Sequence, residues 1–114
     1  MGEQIAVNYL QKLGYKILEQ NYTCRWGEID VIAKDGRQTI VFVEVKTLKS
    51  GGAEWLSPED NATAAKLRKL RRTCEMFVGA NPDMINDERG WRIDLVAISI
   101  GDEEKPDIKH YENI

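Results

Sequence analysis

Gly27-Glu28-Ile29-Asp30-Val31-Ile32, followed after an Asp35-Gly36 pair by Ile40-Val41-Phe42-Val43-Glu44-Val45-Lys46, decides how this chain folds. Both flanks are rich in β-branched and aromatic residues, and the Asp-Gly between them is a hairpin signal, so they read as two antiparallel strands. Alternation along a strand puts Ile40, Phe42, Glu44 and Lys46 on one face and Val41, Val43 and Val45 on the other. A strand apolar on both faces is buried on both, and this one ends by delivering a carboxylate and an amine. A turn near Gly36 pairs Asp30 with Phe42 and Glu28 with Glu44. Asp30 and Glu44 are then diagonal neighbours on one face, about 5–8 Å apart by cross-strand geometry.

Two carboxylates that close repel each other unless one is protonated or a cation lies between them. A hard divalent ion with oxygen ligands, magnesium or manganese, suits such a pair. Lys46 points the same way as Glu44 and can reach whatever the metal holds. In phosphoryl chemistry the metal polarises the phosphate and activates a water, while the lysine orients the nucleophile or neutralises developing charge. Taken alone, an Asp followed by Glu-x-Lys also describes an ordinary ion pair at a strand end, because such triplets are common by chance.

Asp30 followed after a hairpin by Glu44-Val45-Lys46 resembles the D…E-x-K signature of the PD-(D/E)XK nuclease superfamily. More closely, Gly2-Glu3-x-x-Ala6, Tyr9-Leu10, Gly14-Tyr15-x-Ile17-Leu18, Asn21, Gly27-Glu28-Ile29-Asp30, Val41-Phe42-Val43-Glu44-Val45-Lys46 and Arg92-Ile93-Asp94-Leu95-Val96 resemble the bacterial YraN family, which is similar to archaeal Holliday-junction resolvases. The resemblance implies a restriction-endonuclease-like α/β fold, with a mixed central sheet of four to five strands flanked by helices, in a single domain over residues 1–114. It implies a metal-dependent endonuclease acting on DNA, including branched or Holliday-junction DNA. Asp30 and Glu44 would hold magnesium or manganese, Lys46 would serve the attacking water, and Glu3 would stand beside the metal. Resolvases of this kind cut two strands as dimers, so a homodimer is the implied assembly. The chain departs from the commoner family pattern at Leu48, where a basic residue usually stands. Two other classes compete with the nuclease: a nucleic-acid-binding module that has lost turnover, and a protein-interaction scaffold using Trp26, Trp55 and a Gly-rich loop.

The 114 residues fit one domain, and 42% hydrophobic with 31% charged residues is an ordinary globular composition. A net charge of −3 is the wrong sign for binding nucleic acid over the whole surface, so any such binding rests on a local basic patch. Cys24 and Cys74 stand outside any C-x-x-C and read as reduced intracellular thiols. No apolar run reaches membrane-spanning length and the N-terminus lacks a signal-peptide pattern, so a cytoplasmic protein with no membrane partner is expected.

Residues 3–13 carry Ile5, Ala6, Tyr9, Leu10 and Leu13 at helical spacing, with Gly14 as a C-cap. Glu3 in the first turn also suits the helix dipole, which is its simplest explanation. Residues 15–22 read as a strand leading to Arg25 and Trp26, a pair that packs with a snorkelling arginine or touches nucleic acid. Ser50-Gly51-Gly52 signals a loop able to grip substrate, and Ser57-Pro58-Glu59-Asp60 a helix start, with the helix running to about residue 78. Leu67, Leu70, Cys74, Phe77 and Val78 form its buried stripe, and Lys66, Arg68, Lys69 and Arg72 fall on the remaining arc with Arg71 at the border. In an acidic protein that arc is the expected DNA-facing surface. Trp91 to Ile100 alternates as a strand and residues 107–111 as a short edge strand. Asp94 is a further candidate beside the metal, but the resemblance implies that it belongs to a strand next to the hairpin and stands outside the D…E-x-K set. His110, the lone histidine, has no nucleophile motif to serve.

Overall fold

A computed structural model of the chain describes residues 2–49, 64–100 and 105–114. The elements are helix α1 (Gly2–Lys12), strands β1 (Lys16–Cys24), β2 (Gly27–Lys34) and β3 (Ile40–Lys49), helix α2 (Ala64–Ala80), a 3-10 turn at Pro82–Met84, and strands β4 (Trp91–Ile100) and β5 (Asp107–Tyr111). The five strands form one sheet in sequence order. The β3–β4 pair is parallel and the other pairs are antiparallel, which makes the sheet mixed. A five-stranded mixed sheet flanked by two helices is consistent with the expected restriction-endonuclease-like fold. The expected Gly51-Gly52 loop, Trp55 and the Ser57 helix cap lie outside the described residues.

β3 is buried on both faces, as its unbroken apolar run requires. Val41 and Val43 pack with Ala6, Val7 and Leu10 of α1 and with Val31, Ala33, Val96 and Ile98. Ile40 and Phe42 pack on the other side with Ile29, Ile32 and Ile93 and with Cys74 and Phe77 of α2. Phe42 meets Phe77 and Trp91 edge to face at centroid distances of 5.6 and 5.4 Å, the arrangement aromatic quadrupoles prefer. α1 ends as its glycine predicts: Gly14 takes φ 94°, and the Tyr15 and Gly14 N–H groups close back on the Leu10 and Gln11 carbonyls at 3.0 Å each.

The hairpin register differs from the expected one. Ile32, rather than Asp30, faces Phe42, and Val31 faces Val43. The cause is the Asp35 side chain, which accepts the Arg37 and Thr39 N–H groups at 2.8 and 3.0 Å. The Asp35 N–H also donates to the Thr39 carbonyl at 3.0 Å. An aspartate folding the backbone onto itself centres the turn beyond Gly36, with Gln38 in the left-handed region at φ 75°. The paired register ends at Val31 and Val43, one residue short of Asp30 and Glu44.

Helix α2 packs through its second half. Thr73, Cys74 and Phe77 are buried, whereas Leu67 and Leu70 are only half-buried. Thr73 lies outside the expected stripe. It is buried because α2 crosses the start of β2 there, its hydroxyl 3.0 Å from the Lys69 carbonyl and 3.4 Å from that of Trp26. A methyl at Gly27 would meet that hydroxyl at 2.7 Å, so this crossing requires glycine. Among the described residues no helix is long and apolar enough to cross a membrane.

Candidate active site

The β2–β3 ladder ends at Val31 and Val43, and beyond it the two strands part. Parting would leave the Val45 N–H without a partner strand. Asp30 supplies one, its Oδ2 accepting that N–H at 2.8 Å. The same carboxylate shares a side-chain hydrogen bond with Glu44. Asp30 and Glu44 are thus brought together at the fork of the hairpin, both half-buried.

Burial is the largest influence pushing the Glu44 carboxyl up, followed by the charge of Asp30 and the hydrogen bond to it, and together they raise it to about 7. Lys46 and Lys66 pull it back. Burial also raises Asp30 above the ordinary range, helped by the charges of Glu3 and Glu28 and opposed by the Val45 N–H and by Glu44. The hydrogen bond favours the ionised form of Asp30 and the protonated form of Glu44.

Glu3 reaches this group through the close start of α1. A Cβ at Gly2 would collide with the Thr47 hydroxyl, so the helix begins directly against β3, while Ala6 is fully buried one turn on. The Gly2-Glu3-x-x-Ala6 motif therefore has a packing cause, and it leaves Glu3 near enough for its charge to act on Asp30. Among the described residues no three carboxylate, histidine or cysteine side chains converge into a ligand cluster. A metal here would have two protein ligands, Asp30 and Glu44. That donor set fits magnesium or manganese, which bind through one or two carboxylates and complete the sphere with water and phosphate oxygens.

Glu44 and Lys46 open onto a cavity of about 480 Å3 between the sheet and the first turns of α2. Leu67, Leu70, Leu95 and Ile114 give it apolar lining, and Glu28, Lys66, Lys69 and Thr73 give it polar lining. The four basic residues expected on one DNA-facing arc divide into two groups. Lys66 and Lys69 line the cavity beside Glu44, whereas Arg68 is exposed and Arg72 lies over Trp26, its guanidinium carbon 4.5 Å from the ring centroid. Arg25 lies 5.3 Å from the same ring, so Trp26 carries the packed arrangement of tryptophan with arginine.

The opposite face of the sheet holds a second charged cluster that the sequence does not reveal. Asp94, fully buried, accepts Arg92 Nε at 2.9 Å, the Asn113 N–H at 3.0 Å and a contact to His110 Nε2 at 2.7 Å. Arg92 also donates to Asp35 at 3.0 Å and to the Tyr15 hydroxyl at 2.8 Å, and His110 Nδ1 lies 3.0 Å from the Tyr9 hydroxyl. Burial works against the charge of Asp94, but the bonds from His110, Arg92 and Asn113 outweigh it and hold the carboxyl below the usual range. The one signal in the chain is an arginine and an aspartate on the strand face that also buries Val96 and Ile98, since buried charges must be paired. Asp94 is a structural anchor for the C-terminal strand, on the face away from Glu44.

Residues 2–98 match the model of the family described as "Uncharacterised protein family UPF0102". The UPF0102 protein of Mycolicibacterium vanbaalenii is 39% identical, over 100% of this chain and 89% of its own length. The UPF0102 protein of Mycobacterium avium is 36% identical, over 100% of this chain and 86% of its own length. With nearly its whole length matched in both ways, the chain belongs to the UPF0102 family, the family that its Gly2-Glu3, Asp30 and Glu44-x-Lys46 motifs resemble.

Proposed function

We propose that this protein is a metal-dependent endonuclease that hydrolyses phosphodiester bonds in DNA. The observation that supports it most is geometric: Asp30, tied to the Val45 N–H at 2.8 Å, stands beside Glu44, and Glu44 and Lys46 line one cavity with Lys66 and Lys69. Asp30 and Glu44 would hold magnesium or manganese, and a bound ion would supply polarisation of the phosphate and a hydroxide nucleophile near neutral pH.

The chain's own groups do the rest. The Val45 N–H fixes Asp30 by tying one carboxylate oxygen to the backbone of β3. The Lys46 ammonium faces the attacking water and neutralises charge that develops on the phosphoryl oxygens. As the water oxygen bonds to phosphorus it gives up a proton to solvent, a P–O ester bond breaks, and the leaving oxygen takes up a proton from solvent. Lys66 and Lys69 are placed to engage the flanking phosphates, and Arg68 with the Arg72–Trp26 stack extends that contact along α2.

The resemblance to junction resolvases makes branched DNA the first substrate to try, with a homodimer supplying paired cuts on two strands. Incubating the purified protein with labelled linear and branched DNA and magnesium or manganese tests the reading. Cleavage that disappears in Asp30→Asn supports it, and equal turnover in wild type and Asp30→Asn contradicts it.

A further inference from the structure

The cavity beside Glu44 is larger than phosphate chemistry requires. At about 480 Å3 it lies within the range of roughly 300–1,000 Å3 in which pockets enclose small organic ligands. A continuous duplex presents its backbone to a nuclease and keeps its bases stacked inside, so it would leave such a hollow unused. The lining is also wrong for phosphate alone, since Leu67 and Leu70 from α2, Leu95 from β4 and Ile114 provide apolar walls. These surround a space that also has hydrogen-bonding groups on Thr23 and Glu28.

Apolar walls with a few polar groups suit a flat heteroaromatic ring with amine and carbonyl edges, the way enzymes hold a base taken out of its stack. Charge divides in the same way. Lys46 and Lys66 stand close enough to Glu44 for their charges to act on it, and Lys69 lines the same cavity, so a nucleotide whose base entered would carry its phosphates to these amines.

We infer that the cavity receives one unpaired nucleobase next to the scissile phosphate, so that the substrate class is DNA with a single-stranded, bulged or flap nucleotide at the cleavage point. This rests on the nuclease reading for its meaning, but it can be measured without cleavage. Unstacking a paired base costs a few kcal/mol and an already unpaired one is spared most of it, which is how such a cavity selects.

The test is equilibrium binding, followed by fluorescence anisotropy, of equal-length DNAs that differ only at one position: fully paired, one unpaired nucleotide, and the same bulge with an abasic residue. Calcium replaces magnesium so that no strand is cut. The expected result is at least a tenfold preference for the unpaired nucleotide over the paired duplex, with the abasic bulge losing that preference. Leu67→Trp, which fills the cavity from α2, and Thr23→Phe, which fills it from the exposed β1 position, should each reduce the preference to near unity with duplex affinity retained. Thr23→Phe serves if Leu67→Trp does not fold. Equal affinity for the paired and unpaired DNAs, an abasic bulge bound as tightly as a normal one, or a preference that survives in a folded filled variant overturns the inference. Base-selective binding without cleavage of any DNA in magnesium or manganese would leave the cavity assignment standing and sink the nuclease. Cleavage of paired and unpaired DNA alike without binding preference would do the reverse.

Discussion

The Asp30 carboxylate accepts the Val45 backbone N–H at 2.8 Å, across the point where the two strands of the hairpin separate. One side chain therefore closes the end of the ladder and also interacts with the second carboxylate of the pair. Structure and chemistry can be separated there by the choice of substitution. Asp30→Asn keeps a carbonyl oxygen for the Val45 N–H and removes the repulsion with Glu44, so the metal-free variant should be as stable as wild type or slightly more so. Asp30→Ala orphans that N–H and should lose about 1–3 kcal/mol. Thermal melts of the two variants in a chelator check this, and a large loss of stability in Asp30→Asn would show the charge itself to be structural.

Glu44 gives the protein an unusual pH dependence. Its carboxyl is raised to about 7 in the folded chain from an ordinary 4.5, so between those values the folded state binds more protons than the unfolded state. Stability of the metal-free protein should then fall as pH rises from 4.5 to 7, by on the order of 1–2 kcal/mol once solvent screening of a half-buried group is allowed for. Asp30 is shifted in the same direction and adds to the slope. Asp35 and Asp94 are held low and contribute stability that is lost only as pH falls below the ordinary carboxylate range, outside that window. Melting temperatures across the window should show the decline in wild type, a flatter profile in Glu44→Gln, and flattening of the wild-type profile by manganese. An identical slope in Glu44→Gln would assign it to another group.

Asp94 predicts the opposite behaviour on the other face of the sheet. Asp94→Asn removes the charge that Arg92, His110 and the Asn113 N–H share, and leaves a partly buried guanidinium underpaired. Breaking one side of such a pair costs about 3–5 kcal/mol. Chemical denaturation should show that loss, with the C-terminal strand β5 the first to exchange its amide hydrogens. A melting temperature equal to wild type would mean that the cluster contributes specificity without stability.

The divided basic surface makes a claim about DNA. Replacing Lys66, Lys69 and Arg72 with Gln should weaken binding to all sequences alike and reduce the salt dependence by about one unit of slope for each phosphate no longer engaged. Anisotropy titrations over a range of salt concentrations read this directly. Unchanged affinity and slope would place the DNA on another surface.

Much of the fold was legible because each signal was local or followed from burial on both faces of one strand. The run from Ile40 to Val45 could only be an interior strand, and Gly14 could only end a helix. The hairpin register was not legible, because it depends on the Asp35 side chain binding Arg37 and Thr39 rather than on the Asp-Gly dipeptide. Helical periodicity placed Lys66 and Lys69 on an outer arc with Arg68 and Arg72. It could not show that α2 seats only its second half against the sheet, which leaves its first turns standing over a cavity that those lysines line. The Arg92–Asp94–His110 cluster joins residues from separate strands, and no spacing in the chain announces it. The carboxylate pair itself was legible from Asp30, Glu44 and Lys46, although the bond that fastens Asp30 to the Val45 N–H was not.

Cleavage by Lys46→Met separates a nuclease from a module that only binds DNA. Methionine keeps the aliphatic stem at the strand end and deletes only the ammonium, so fold, DNA affinity and ion binding by Asp30 and Glu44 should persist. Removing one transition-state stabiliser typically costs about 10²–10³ in rate. Rates on linear, branched and single-stranded DNA with magnesium or manganese should therefore fall by that amount in Lys46→Met relative to wild type. Wild-type protein that cuts none of these DNAs faster than Lys46→Met would contradict the account.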